Sequence, residues 1–109
     1  MFKNTFLMEK NTVEIKQIKL NNGTALGIKV MKDEKGPLVI LIKADKGFIV
    51  CSNFSMKALE EKGVVAARVA GINSIETALE TKIVEVTTKA KELGIEEGML
   101  VEEGLEKMF

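Results

Sequence analysis

Histidine, tryptophan and tyrosine are missing from this sequence, and proline, cysteine and arginine occur once each, as Pro37, Cys51 and Arg68. Without histidine there is no Ser-His-Asp triad, no Cys-His pair and no histidine-ligated catalytic zinc. Without Trp or Tyr, and with one Arg and no dense basic cluster, neither base stacking nor phosphate neutralisation is provided for, so nucleic acid is not an expected partner. A single cysteine cannot close an internal disulfide, and the opening MFKNTFLMEK lacks a signal peptide's apolar core and cleavage site; both point to the cytoplasm. The longest apolar run, Leu38 to Ile42, is far short of the roughly 20 residues that span a bilayer, so no membrane partner is expected. There is no Walker loop and no G-x-G-x-x-G, and no cofactor is implied. The paired glutamates Glu60-Glu61, Glu96-Glu97 and Glu102-Glu103 read as solvated surface rather than as a metal site.

What is present is the composition of one folded domain over residues 1–109, 46% apolar and 29% charged. The formal charge is zero but uneven. Residues 1–54 carry nine Lys against five acidic residues, and residues 55–109 carry the opposite excess. Two solvated faces of one domain account for this; a basic half meeting the acidic half of another copy is the alternative.

Residues 1–11 read as an apolar tail, with Phe2, Phe6, Leu7 and Met8 in need of cover. From Thr12 to Leu20 apolar residues alternate, with one slip of phase at Lys16-Gln17, which predicts a bulge there. Asn21-Asn22-Gly23 is a turn. Thr24 to Met31 alternates again, with Leu26, Ile28 and Val30 facing inward and Gly27 and Lys29 facing water. Pro37 opens a strand whose unbroken run to Ile42 suits a central position covered on both faces. After the turn Asp45-Lys46-Gly47, residues 48–51 form a fourth strand. Ser55 then caps a helix that runs to Lys62 and stops at Gly63, residues 64–70 form a strand, and Ser74 caps a second helix. Residues 82–93 carry both strand and helix signals at their start; length and Gly94 favour helix. A short helix around Val101 and Leu105 ends the chain. The fold expected is α+β: a single mixed sheet of about five strands, an antiparallel meander followed by a strand-helix-strand crossover, with C-terminal helices packed on it.

If the strands of the crossover are parallel, their C-terminal ends share one edge of the sheet. Two loops then meet there, each leading into a helix N-terminus, where free N–H groups favour anions. The candidate ligand-binding residues are Cys51, Ser52, Asn53, Ser55, Arg68, Gly71, Asn73 and Ser74. Arg68 shares a face with Val64, Ala66 and Ala70 and so needs a carboxylate, a carbonyl or a ligand; a structural ion pair with a Glu is the plainest answer. Cys51 precedes a helix N-terminus, a position that activates thiols, although a free Cys at a strand end is also ordinary packing. Ser55 and Ser74 serve as caps on either reading.

The stretch GFIVCSNFSMKALEEKGVVAARVAGINSIETAL, with the later KELGIEEGML, resembles the YunC-like family of small bacterial and archaeal proteins, a domain of unknown function. The positions that match its pattern are Gly47, Cys51, Ala67, Arg68, Gly71, Gly94, Ile95, Gly98 and Met99. The chain departs from that pattern at Ser52, where the family has Gly, and at Ser55, where it has Asp near the helix start. The resemblance implies a compact α/β fold and brings no substrate, cofactor or activity. Three functions remain in view: a module binding a small anionic ligand or a protein partner at the edge formed by residues 51–55 and 68–74, an enzyme using Cys51 with Arg68 orienting an anionic substrate, and a self-assembling structural protein. A homo-oligomer is expected from the apolar tail and the charge asymmetry.

Overall fold

Alternating apolar residues and tight turns build most of the architecture. The computed structural model describes the backbone of residues 2–7 and all of residues 13–109, so Met8 and Thr12 lie outside the described residues, as do the side chains of residues 2–7. Strands β1 (Phe2–Leu7), β2 (Val13–Lys19), β3 (Thr24–Asp33), β4 (Gly36–Lys43) and β5 (Gly47–Val50) follow one another as an antiparallel meander. Helix α1 (Met56–Glu61) crosses to β6 (Val65–Arg68), which lies parallel to β5. Helix α2 (Ile75–Leu79), strand β7 (Glu85–Val86), and helices α3 (Thr88–Glu92) and α4 (Val101–Glu106) complete the chain. The result is one mixed sheet with its strands in chain order, β1 to β7.

Seven strands stand where about five were expected. One of the additional two is β1: residues read as a tail pair with β2 as an edge strand, Phe6 opposite Ile15 and Leu7 opposite Glu14. The other is β7, at the start of the ambiguous segment. Here strand gives way to helix at Thr87, whose buried hydroxyl accepts from Ala66 N–H (3.1 Å), donates to Val64 C=O (2.8 Å) and caps α3 at Ala90 N–H (3.3 Å).

The bulge expected at Lys16-Gln17 is not there. The β2–β3 ladder runs without a shift from Val13↔Val30 to Lys19↔Thr24, and the irregularity lies in β1, between Phe2 and Thr5. Ile15 and Ile18 therefore point to opposite faces. Ile18 and, on β3, Ala25 are fully buried in one core with residues of α2 and α4, and Gly27 is buried beside Ile75 of α2. The inward face of β3 is thus the reverse of the one expected. Leu26 is 37% exposed, while Gly27 lies under α2, where a Cβ would stand 2.8 Å from Ile75 Cγ2. Small residues face inward because the helix axis comes close to the sheet there.

The main core joins Ile18, Ile40, Ile42, Ile49 and Ala67 to Ile75 and Leu79 of α2, Ala90 of α3, and Val101 and Leu105 of α4. On the other face, α1 packs against β6, and buried Met56, Val50 and Ala66 lie apart from that core. From β2 to β4 no helix of the described residues lies over this second face, so Val13, Ile15, Ile28, Val30 and Leu41 are only partly covered. Leu38–Ile42 is central as expected, but fully buried only at Ile40 and Ile42.

The C-terminus fastens two hairpin turns. Glu106 accepts the N–H groups of Asn21 and Asn22, both at 2.8 Å, and its carbonyl accepts from Asn22 Nδ2 at 3.0 Å. Lys46 N–H donates to Met108 C=O at 2.7 Å, and the Phe109 ring lies against Gly23.

Candidate functional site

The crossover carries out the geometry that its two apolar strands imply. Gly47, Phe48, Ile49 and Val50 pair in parallel with Val65, Ala66, Ala67 and Arg68. The absence of a side chain at Gly47 is required, since a Cβ would stand 2.6 Å from Val65 O. Val69 N–H continues the ladder to Val50 C=O at 2.9 Å. Both chains then leave the sheet at the same edge.

β4 does not leave it there. Being antiparallel to β5, it begins where β5 ends, and its pairing with β5 covers only Leu41 to Lys43. Residues 37–40 therefore overhang as a ledge beside the departing loops. Between this ledge, residues 51–53 and residues 71–72 lies an open cleft of about 220 Å³. On its floor Cys51 is 8% exposed and its Sγ accepts from Ile40 N–H at 3.5 Å. Asn53 Nδ2 donates to Leu38 C=O, bridging loop to ledge. Gly71 has φ +70°, the left-handed region, with nothing near its missing Cβ; the backbone angle alone requires glycine.

Of the residues expected at this edge, Cys51, Ser52, Asn53 and Gly71 line the cleft, and Ser55, Arg68, Asn73 and Ser74 do not. Both serines are spent as caps: Ser55 Oγ accepts from Ala58 N–H at 3.1 Å, and Ser74 Oγ from Thr77 N–H at 3.0 Å. Asn73 is exposed. Arg68 pairs with Val50 in the ladder, and Cys51, one residue on, points to the other face. The lone Arg and the lone Cys are therefore on opposite sides of the sheet. Arg68 Nη2 instead meets Glu85 Oε1 at 2.7 Å across the β6–β7 pair, the structural ion pair. Its Nε is buried and without an acceptor among the described residues.

Among the described residues no charged side chain lines the cleft. Helices α1 and α2 are only six and five residues long, too short to present a strong dipole. Electrostatically, the cleft offers backbone groups, one hydroxyl, one carboxamide and one thiol. Ile72 lies within the expected 68–74 edge, although not among its named ligand residues, and the ledge residues 37–40 were not anticipated. The signal for the ledge lies in the meander itself, because an antiparallel β4 must bring its beginning to the end of β5. No group of three or more potential metal ligands occurs among the described residues, and none of their helices is long and apolar enough to cross a membrane.

The mixed sheet and its parallel crossover define a small α+β domain. Residues 50–108 match the family model of DUF1805, a domain of unknown function, and the chain belongs to that family. It is 34% identical over 90 residues to the uncharacterized protein YunC of Bacillus subtilis, an alignment covering 79% of this chain and 85% of that one. A protein of unknown function from Thermoplasma acidophilum, TA1206, has the same fold, with a TM-score of 0.82 and 23% identity over 95% of this chain and all of that one.

Proposed function

We propose that the chain is a ligand- or partner-binding module whose site is the cleft between the β4 ledge and the loops after β5 and β6. One observation carries this reading: three separate segments converge there on a concavity holding Cys51, Ser52 and Asn53. The anionic ligand expected from the sequence would meet backbone N–H groups and neutral side chains but no cation, because Arg68 is engaged by Glu85 on the far face. An uncharged small ligand with an amide or hydroxyl group suits the lining better. A thermal-shift screen of amino-acid amides, nucleosides, phosphates and dicarboxylates tests this, since binding to the folded state raises the melting temperature. Ser52→Trp fills the cleft from an exposed position, and any stabilisation by a bound compound should vanish in it. A shift that survives the substitution places binding elsewhere. The enzymatic alternative loses its orienting residue, because Arg68 does not face Cys51. The single buried cysteine suits a reducing, cytoplasmic setting.

The uncovered sheet face favours a second reading, self-association. Half-buried Ile15, Ile28, Val30 and Leu41, with exposed Leu26, form an apolar surface of the kind that marks protein contacts. Sedimentation should show an oligomer that Ile28→Glu converts to monomer. An unchanged mass, or a monomeric parent protein, would remove this face from consideration.

A further inference from the structure

The turn held by the C-terminus combines two residues that packing requires and chemistry makes unstable. A Cβ at Gly23 would lie 2.5 Å from the Phe109 ring, so any larger residue there displaces the ring. Asn22 is held at both its backbone and its side chain, N–H to Glu106 Oε1 and Nδ2 to the Glu106 carbonyl. An Asn carboxamide folds back readily on its own backbone, and a following glycine offers no steric shield to its N–H. Leu20 N–H donates to Gly23 C=O at 2.9 Å, but Gly23 N–H has no acceptor among the described residues. Among the described residues the nucleophile is therefore unengaged, and the amide is restrained by the end of α4 alone.

We propose that Asn22-Gly23 is a self-modification site gated by the C-terminal latch. Gly23 N–H loses its proton to hydroxide, and the nitrogen attacks Asn22 Cγ. The Cγ–Nδ2 bond breaks, and ammonia leaves with a proton from solvent. Water then opens the succinimide ring at either carbonyl, giving aspartate or isoaspartate. The net change is amide plus water to carboxylate plus ammonium, with no redox step. The ring cannot close while Nδ2 is bonded to Glu106, so α4 must let go first. Afterwards a carboxylate oxygen replaces the donor that faced the Glu106 carbonyl, beside the Glu106 carboxylate itself. Acceptor then meets acceptor and like charge meets like charge, and the latch opens.

The test is incubation of the full chain in warm, mildly alkaline buffer, native and in urea, with peptide mass spectrometry at Asn22. The native chain should convert more slowly than the unfolded one, and folded Glu106→Ala should convert several-fold faster than the native parent. Phe109→Ala provides a second loosened latch should the first variant not fold. Asn22→Asp should melt several degrees lower than the parent. A native chain that never converts while the unfolded chain goes to completion overturns the site. Equal rates in the parent and the loosened variants overturn the gating, and an unchanged melting temperature in Asn22→Asp overturns the release.

Discussion

Thr87 shows how much one hydroxyl can arrange. It is buried, bonded to two main-chain groups of the β6 region and caps the next helix, so it sets where strand becomes helix. Thr87→Val keeps the shape and strands those groups. We expect a loss of about 2–3 kcal/mol, from unsatisfied buried donors and a missing cap. Denaturant titration checks this, and a loss within error would mean that the main-chain groups find other partners. Cys51 and Arg68 make the opposite case. Both stand out in the sequence as solitary residues, yet one register position sends them to different faces.

At the scale of elements, the close approach of α2 to β3 replaces large side chains with Gly27 and Ala25. Gly27→Ala pushes against Ile75 and should cost about 1–3 kcal/mol, as overpacking does. The melting temperature would fall by about 4–8 °C for each kcal/mol in a domain of this size. Ser74→Ala removes the cap of the same helix and should cost about 1 kcal/mol. If Gly27→Ala instead raised the melting temperature, α2 would have room to retreat from the sheet. The crossover was legible in the sequence as far as its parallel strands and serine caps. The ledge was not, because it depends on where β4 stops pairing with β5, and apolar runs do not mark that point.

For the whole molecule, two glutamates tie separate elements together. Glu60 at the end of α1 accepts the N–H of Thr88 at 2.8 Å, and this hydrogen bond holds its carboxyl below the ordinary range. Glu76 on α2 is pushed up by partial burial, but Lys16 on β2 more than offsets this, leaving it also lowered. A carboxylate lowered on folding contributes stability above its unfolded pKa, near 4.5, and loses it as pH falls through the lower folded value. Stability should therefore be flat from neutral pH to about 5 and decline below it. Glu60→Gln with Glu76→Gln should flatten the decline in urea titrations at stepped pH. An equally steep decline in the double variant would put the acid sensitivity elsewhere.

Several features were determined by the sequence alone. Turn residues and alternation set the meander, Ser55 and Ser74 set two helix starts, and the residues around Cys51 carried the family. These signals are local, fixed by backbone conformation and hydrogen bonds within a few residues. Which face of β3 is buried, whether residues 2–7 are tail or strand, and where Arg68 finds its counter-charge were decided only in the tertiary structure. Each depends on which helix lies over which face and on where neighbouring strands begin and end, and those are contacts between residues far apart in the chain.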